Sequence, residues 1–295
     1  MVIQTHSLSK QYKKGIFALQ EVNFEIESGV YGLLGPNGAG KTSLIGILAG
    51  LIRPTQGSAT VCGFDTTRQA RQVREKIGII PQEYKLYPDF SAFEFLDYMA
   101  MLSGTDLTSA QILRLLGDVN LDKAAKKKIK SFSGGMKQRL VVAQALAHNP
   151  PVLLADEPTS GLDPEERVRF RNLFSEIGLS RTVLLSTHIT EDITATTNQL
   201  SILHQGRLIF SGSIDKLLSQ SAGLIWSCTL SGEQWELFKE QNLIISFVND
   251  VESRQVKARY SPRNGPPAAG SLPLEASLED AYMLLVSQHK RDLQS

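Results

Sequence analysis

The sequence predicts an α/β fold with an antiparallel β subdomain, an inserted helical subdomain and a small α+β C-terminal domain. Three short apolar runs support the α/β core: "GVYGLLG" (29–35), "PVLLAD" (151–156) and "TVLLST" (182–187). Each is followed by helical sequence before the next run. Strands that alternate with helices pair in parallel and are buried on both faces.

The other parts of this architecture have different patterns. "EVNFEIE" (21–27) alternates apolar and polar residues, which is typical of a half-buried antiparallel strand. "LSILHQGRLIFSG" (200–212) predicts a hairpin that turns near Gln205 and Gly206. Between 83 and 148 the pattern is mainly helical, with Ser-x-x-Glu and Thr-x-x-Gln capping boxes in "SAFE" and "TSAQ".

A composition change near residue 220 predicts a domain boundary. We expect residues 1–220 to form the main domain and 221–295 a small accessory or regulatory domain. In the second segment, "LIWSCTL", "GEQWELFKEQ", "LIISFV" and "RQVKARYS" predict strand, helix, strand, strand. A Pro- and Gly-rich loop (261–273) and a final helix from "SLEDAYMLLVSQ" follow.

Bulk properties exclude several classes of protein. The 295 residues have a net charge of +1, so no strong overall field attracts nucleic acid. Cys62 and Cys228 have no metal-type spacing, and we expect free thiols in a reducing compartment. No secretory signal and no apolar run of the ~18–20 residues that span a bilayer is present. We therefore expect a soluble chain whose membrane role, if any, comes through a partner.

The segment "GPNGAGKT" matches the phosphate-loop pattern GxxxxGK[ST] at every position, between a predicted buried strand and a helix. Backbone N–H groups of such a loop surround a polyphosphate, and the helix presents its positive N-terminus to it. Lys41 can reach the β- and γ-phosphates, and the Thr42 hydroxyl can bind Mg²⁺. The motif predicts a P-loop NTPase core, in which the nucleotide contacts Gly35, Pro36, Asn37, Gly38, Ala39, Gly40, Lys41, Thr42 and Ser43.

Two acids end the predicted strand 151–156. Neighbouring side chains on a strand point to opposite sides, so Asp156 and Glu157 are expected to have different roles. Asp156 is suited to orient the water shell of Mg²⁺, and Glu157 to polarise the water that attacks the γ-phosphate.

"SFSGGMKQR" (131–139) places Ser133, Gly134 and Gly135 before a largely buried helix. Ser133 is a natural N-cap, and the glycines leave the first-turn N–H groups uncovered. A capped helix is the simple interpretation, but the order of the motifs adds another.

A phosphate loop, a helical insertion, "FSGGMKQR" and "LLADEPTSGLD" together resemble the nucleotide-binding domain of ABC-type ATPases over about residues 1–215. In that family the phosphate loop of one domain faces the Ser-Gly-Gly helix of another, with ATP between them. The resemblance implies that Ser133, Gly134 and Gly135 contact the ATP of a second nucleotide-binding subunit. That subunit is either an identical or a related chain.

The resemblance assigns four more residues. Gln82 matches the glutamine that links the Mg²⁺ and water site to the helical insertion, with a role in metal binding and catalysis. Asp163 in "SGLD" matches the acid of the loop that crosses the dimer interface. His188 matches the histidine that contacts the γ-phosphate, and Tyr12 the aromatic residue that stacks on adenine.

Two features narrow the resemblance within the family. Phe132 and Met136 replace the leucine and the glutamine of the usual Leu-Ser-Gly-Gly-Gln signature, which puts a side-chain contact from residue 136 in question. The "SGGMKQR" version and the closing "SLEDAYMLL" resemble the single-domain ATPases of drug, natural-product and polysaccharide exporters. The resemblance implies an ATPase subunit at the cytoplasmic face of the membrane that drives separate permease subunits. Residues 83–100 would carry the coupling contact.

Three other functions are weaker alternatives. An ABC-type ATPase that acts on ribosomes or DNA usually carries two nucleotide domains, long coiled coils or zinc modules, whereas this sequence has one set of nucleotide-binding motifs and neither of the other two features. A phosphate-loop kinase or GTPase does not explain the Ser-Gly-Gly helix, and no Asn-Lys-x-Asp motif is present. A binding module without hydrolysis does not explain Glu157 and His188. The basic run "KAAKKKIK" (123–130) lacks interleaved aromatic residues, so no nucleic-acid partner is expected.

Overall fold

The computed structural model describes residues 1–13, 15–252, 254–263 and 265–292. By its internal contacts the chain divides into two compact units, Met1–Ser211 and Gly212–Ser295. Among the described residues, no helix is long and apolar enough to cross a membrane.

The first unit contains most of the regular structure. Its strands are β1 (Ile3–Lys13), β2 (Ile16–Ile26), β3 (Val30–Leu34), β4 (Gln56–Val61), β5 (Phe64–Asp65), β6 (Ile77–Ile80), β7 (Val152–Asp156), β8 (Thr182–Thr187), β9 (Gln199–His204) and β10 (Arg207–Ser213), whose end enters the second unit. Its helices are α1 (Lys41–Leu48), α2 (Ala70–Lys76), α3 (Ala92–Leu102), α4 (Ser109–Asp118), α5 (Gly134–Leu146), α6 (Pro164–Gly178) and α7 (Thr190–Thr194). Short 3-10 turns span Asp122–Ala124 and Ile129–Ser131.

The α/β core is a six-stranded sheet in the order β10-β9-β3-β8-β7-β6, in which β3, β6, β7, β8 and β9 pair in parallel. The three apolar runs form β3, β7 and β8, as the sequence predicts. The predicted hairpin joins β9 to β10. Its two turn residues, Gln205 and Gly206, both have positive φ angles of 49° and 77°, which suits a tight two-residue turn.

A second, antiparallel sheet has the order β2-β1-β4-β5. The alternating segment predicted as a half-buried strand is the end of β2. It places Val22, Phe24 and Ile26 in the core, while the residues between them are exposed. This confirms the antiparallel subdomain.

Two apolar cores lie on the two faces of the parallel sheet. Along β7, Val152 and Leu154 belong to one core, and Leu153 and Ala155 to the other. This alternation follows from the two-residue period of a strand. The first core also contains residues of α1, β1 and β2, whereas the second contains residues of α3, α4, α5 and α6.

The helical subdomain begins with the two predicted capping boxes. Ser91 accepts a hydrogen bond from the N–H of Glu94, and the Glu94 carboxylate accepts one from the N–H of Ser91. Thr108 and Gln111 do the same at the start of α4. Each cap satisfies N–H groups that have no partner inside the helix.

The second unit is a small α+β structure. Its elements are α8 (Ile214–Gln220), β11 (Trp226–Ser231), α9 (Gly232–Gln241), β12 (Asn242–Asp250), β13 (Gln255–Pro262), β14 (Leu272–Pro273) and α10 (Leu278–Asp292). The sheet order is β12-β13-β11-β14. The two short pieces of strand at 261–262 and 272–273 enter the stretch that the sequence predicts as loop. Trp235, Phe238 and Tyr260 form much of its core.

Candidate functional site

The phosphate-loop segment connects β3 to α1 and bends sharply at its end. Gly40, which immediately precedes α1, has a φ of 109°. A Cβ atom there would clash with the carbonyl oxygen of Ala18, so only glycine fits this backbone and this packing. The loop borders a cleft of about 340 Å³ that is lined by Ala18, Asn37, Gly38, Gly40, Lys41, Thr42, Ser43, Gln82 and Glu157.

Lys41 is held inside this cleft. Its ammonium group donates to the carbonyl oxygens of Gly35 at 2.6 Å and Pro36 at 3.1 Å. It also lies 3.0 Å from Oε1 of Glu157, and both side chains are nearly buried. A buried charge needs such partners, because isolated charges are costly to remove from water. The cleft therefore places a cation and a carboxylate side by side at the phosphate loop.

Glu157 stands in a turn directly after β7, and its φ is 49°. Its N–H donates to the carbonyl oxygen of Ser186 at 3.1 Å and lies 3.2 Å from the Ser186 hydroxyl. Its Oε2 lies 2.8 Å from Nδ1 of His188. Because a carboxylate only accepts hydrogen bonds, Nδ1 of His188 carries the proton of this bond.

Asp156 has a separate environment, as the sequence predicts for adjacent acids. It is buried at the end of β7 and accepts a 2.5 Å hydrogen bond from the hydroxyl of Ser186. Ser186 thus contacts both Asp156 and the backbone of Glu157. The left-handed backbone of Glu157 has no signal in the sequence.

Tyr12 lies beside the phosphate-loop helix. Its ring is 56% exposed, its hydroxyl lies 3.2 Å from that of Ser43, and the Lys10 ammonium lies 5.0 Å from the ring centroid. An exposed aromatic face next to the cleft can stack on a flat heterocycle.

Ser133 of the Ser-Gly-Gly segment is the N-cap of α5, as the sequence predicts. Ser133 accepts from the N–H of Met136 at 3.2 Å, and no atom lies within 4 Å of the Cβ position of Gly134. Gly135, however, is buried, and a Cβ atom there would clash with the Glu166 carboxylate. Phe132 is buried in the core of the helical subdomain.

Asp163 caps α6, where it accepts from the N–H of Glu166 at 2.9 Å. The nearby Thr159 donates to a fully buried carboxylate, that of Asp192, at 2.5 Å. Arg171 also donates to Asp192, at 2.7 Å. The carboxylate of Asp192, on α7, therefore connects the turn after Glu157 with helix α6.

A further buried residue was missed by the sequence analysis. Gln138, on α5, donates to the carbonyl oxygen of Pro158 at 2.6 Å and accepts from the hydroxyl of Tyr84 at 3.3 Å. The only signal in the sequence is a glutamine on the apolar side of a mainly buried helix.

The structure groups the predicted residues in two ways. Gln82, Glu157 and most of the phosphate loop line the cleft, whereas Gly35, Pro36 and Ala39 of the loop do not. Tyr12 is connected to the cleft through Ser43, His188 through Glu157, and Asp156 through Ser186, which also contacts the backbone of Glu157. The remaining predicted residues, at the N-termini of α5 and α6, are Ser133, Gly134, Gly135 and Asp163.

The donor chemistry fits a hard divalent cation. Thr42, Gln82 and Asp156 supply oxygen atoms, which are the ligands that Mg²⁺ prefers. Within the described parts of the chain, no group of three or more His, Cys, Asp or Glu residues could hold a metal alone. Mg²⁺ usually shares its coordination with substrate phosphates and water, so three such donors beside a phosphate loop are compatible with it.

Comparison with known proteins places this architecture in one family. The family model described as "ABC transporter" matches residues 19–160. The "Nod factor export ATP-binding protein I" of Cupriavidus metallidurans is 31% identical over 304 residues, covering 99% of each chain. The "Linearmycin resistance ATP-binding protein LnrL" of Bacillus subtilis is 32% identical and covers 99% of this chain and 96% of its own.

Solved structures agree with the sequence relatives. The dimeric bacterial ABC transporter cassette MJ0796 is 27% identical, with a TM-score of 0.65 over 72% of this chain and 98% of its own. The same cassette in a post-hydrolysis state bound to ADP and Pi has the same TM-score. The chain therefore belongs to the ABC transporter family and is the ATP-binding, ATP-hydrolysing subunit of such a transporter.

Proposed function

We propose that this chain is the ATPase of an export system and works in pairs at the cytoplasmic face of a membrane, bound to separate permease subunits. The single observation that supports the proposed ATP hydrolysis is the cluster of Lys41, Glu157 and His188 at the phosphate loop. The export part is supported by the two relatives named for Nod factor export and linearmycin resistance, whose lengths match this chain almost completely.

The phosphate loop would bind the triphosphate of ATP. A polyphosphate would compete with Glu157 and the loop carbonyls for the ammonium group of Lys41, because it carries more negative charge. The N-terminus of α1 adds its positive dipole to the same place. Residues 35–43 would thus contact the phosphates, and Tyr12 would stack on the adenine ring.

We propose Thr42, Gln82 and Asp156 as the residues that hold Mg²⁺. When bound, the ion would neutralise charge on the phosphate oxygens. The hydrogen bond from the Ser186 hydroxyl restrains the Asp156 carboxylate.

Glu157 is proposed as the residue that polarises the attacking water, and His188 as the residue that contacts the γ-phosphate. Once Lys41 binds phosphate, Glu157 loses one partner and its carboxylate becomes available to a water molecule. The bond from Nδ1 of His188 and the fixed backbone of the turn keep it in place. General-base groups contribute roughly 10²- to 10⁴-fold to rate.

The second ATP contact is proposed to come from a paired subunit. Ser133, Gly134 and Gly135 stand at the N-terminus of α5, whose positive dipole favours an anion; Gly134 has open space beside it, and Gly135 is buried next to the Glu166 carboxylate. Asp163 would lie at the subunit boundary. The dimeric form of the MJ0796 cassette supports this pairing; a homodimer and a heterodimer with a related chain both satisfy it.

Residues 83–100 are proposed to contact the permease. Tyr87 is 47% exposed and its ring lies against Phe90 and Tyr98, with centroids 5.2 and 5.7 Å away. These aromatic rings form an apolar surface that a partner can contact. The alternative, a nucleic-acid partner, is not favoured because Lys128 and Lys130 of the basic run pair with Glu94 and Asp89.

Isolation of the chain from its native membranes in mild detergent tests the transport assignment. We expect a polytopic membrane protein to copurify in fixed proportion, because the proposed coupling surface needs a permease partner. Stoichiometric ribosomal or DNA-repair proteins, without a membrane protein, would contradict the assignment and leave the ATP site unaffected.

A further inference from the structure

Gln138 is a buried polar residue for which the proposed mechanism gives no role. It lies one turn into α5, the helix that begins after Ser133, and it is only 6% exposed. A buried amide is costly unless its donors and acceptor are paired. Both ends of this amide are paired, and the two partners come from two other segments of the chain.

The first partner is the turn that carries Glu157. Gln138 donates through Nε2 to the carbonyl oxygen of Pro158, the residue that directly follows Glu157, at 2.6 Å. Proline has no N–H, so this carbonyl is the backbone group through which residue 158 can be held. The bond is short, and it fixes the downstream end of the turn.

The second partner is the segment after Gln82. The hydroxyl of Tyr84 donates to Oε1 of Gln138 at 3.3 Å, and the Tyr84 ring packs against the core of the helical subdomain. Burial raises the pKa of Tyr84, so its hydroxyl remains a donor. Because Tyr84 donates and the Pro158 carbonyl accepts, the orientation of the amide is determined.

Glu157 is therefore held from two sides. The Ser186 hydroxyl and carbonyl oxygen fix its own N–H, and Gln138 fixes the next carbonyl group. A residue with a φ of 49° needs such support, since the left-handed region is unfavourable for side chains other than glycine. Loss of one support allows the carboxylate to shift.

We propose that Gln138 is a positioning residue, which holds the turn of Glu157 in register with α5 and with the segment that follows Gln82. This inference rests on the proposed role of Glu157. Gln138 is not among the residues that line the cleft, and it acts only through the turn. The same helix carries the Ser133–Gly135 cap, so the contact made by that cap is mechanically connected to the turn of Glu157.

The test is a double-mutant cycle between Gln138→Met and Glu157→Gln in the assembled complex. Methionine keeps the length of the side chain and removes both hydrogen bonds. We expect Gln138→Met alone to lower turnover roughly 10- to 100-fold, the loss typical of a misplacement of about 1 Å. Its half-saturating ATP concentration should stay within a factor of about two, since the nucleotide contacts are unchanged.

The cycle separates positioning from a structural role. In a Glu157→Gln background, Gln138→Met should lower the residual turnover no further, because a residue that acts through another adds nothing once that one is removed. ATP-driven pairing of Glu157→Gln subunits should also be unchanged by Gln138→Met. Additive losses of turnover, or weaker pairing, would overturn the proposal in favour of a role in shaping α5.

Two companion variants complete the test. Tyr84→Phe removes one of the two bonds and should cause a smaller loss of turnover than Gln138→Met. Gln144→Met makes the same chemical change on the same helix and should leave turnover and the unfolding midpoint unchanged. Wild-type turnover of Gln138→Met would refute this inference alone, whereas failure of Glu157→Gln to retain ATP-bound pairs would refute the proposed function.

Discussion

At the scale of single residues, Gly40 shows how strongly the phosphate loop constrains its sequence. Its φ is 109°, and a Cβ atom at this position would also clash with the Ala18 carbonyl oxygen. We predict that Gly40→Ala abolishes ATP binding and lowers the unfolding midpoint, because a left-handed backbone costs roughly 1–2 kcal/mol and the clash adds to it. Binding of a fluorescent ATP analogue and thermal unfolding measure the two effects.

Gly38 is the matched control for that prediction. It also has a positive φ, of 79°, but no atom lies within 4 Å of its Cβ position. Gly38→Ala should therefore lower the unfolding midpoint less than Gly40→Ala does. Equal losses of stability would show that the contact with Ala18 is unimportant.

The buried acid Asp192 provides a second prediction at this scale. Asp192→Asn removes the charge that Arg171 faces, and breaking a buried pair costs about 3–5 kcal/mol. Thr159→Val removes one hydroxyl donor to this buried carboxylate and should cost about 1.5–3 kcal/mol, less than the loss of the charge. Chemical denaturation of both variants tests this order, and a larger loss for Thr159→Val would contradict it.

The limits of sequence reasoning are clearest for these residues. The spacing of "GPNGAGKT" identifies Lys41 and Thr42, and the acids after a buried strand identify Asp156 and Glu157. The pairing of Lys41 with Glu157, the φ of Glu157 and the contacts of Gln138 depend on segments far apart in sequence. A local pattern does not encode such contacts.

At the scale of elements, the capping box of α3 predicts a pH dependence. The backbone N–H and the hydroxyl of Ser91, and then Lys128, lower the pKa of Glu94 from 4.5 to about 2. A carboxylate with a depressed pKa stabilises the folded state above its ordinary pKa, and this contribution is lost as the pH falls from about 4.5 toward 2.

We therefore predict that Glu94→Gln reduces the loss of stability of the helical subdomain between about pH 4.5 and 2, because glutamine accepts the cap hydrogen bond without titrating. Hydrogen exchange of the α3 amides at several pH values measures this pH-dependent loss of stability. The exposed Glu75, which pairs with Arg71, serves as the control, since Glu75→Gln should change this pH dependence much less. Identical pH profiles for wild type and Glu94→Gln would contradict the prediction.

The strands differ in how clearly the sequence predicts them. The central strands β3, β7 and β8 are recognisable because both of their faces are buried, so their sequences are continuously apolar. Strand β1 has no clear signal, because its pairing with β2 shifts register repeatedly between Thr5 and Lys13. Each irregularity moves later side chains to the other face and breaks the alternating pattern.

At the scale of the whole molecule, the two units have separate cores and should unfold independently. In the second unit, Arg259 donates to the buried Asp280 at 2.6 Å, and a second bond joins the same pair at 2.5 Å. Burial acts to raise the pKa of Asp280, but the bonds from Arg259 and Ser277 outweigh it and lower that pKa.

We predict that Asp280→Asn destabilises the second unit by an amount near the lower end of about 3–5 kcal/mol, because Arg259 is 30% exposed and partly solvated. Hydrogen exchange should accelerate in β13 and α10 but not in β3 or α1. Equal acceleration in both units would indicate a single cooperative structure.

The sequence and the internal contacts of the chain mark the division between the two units at different places. The composition changes near residue 220, whereas the contacts divide the chain after Ser211. Helix α8 has an ordinary mixed composition, and nothing in its sequence indicates which core it joins. An accessory or regulatory role for the second unit stays a prediction.

The most direct test of the central claim is the steady-state ATP hydrolysis of Glu157→Gln in the assembled transporter, measured together with ATP binding. Glutamine preserves the shape of the side chain but cannot accept the proton of the attacking water. We predict that ATP binding is retained and that hydrolysis falls by roughly 10²- to 10⁴-fold. Hydrolysis at the wild-type rate in a pure preparation would contradict the account.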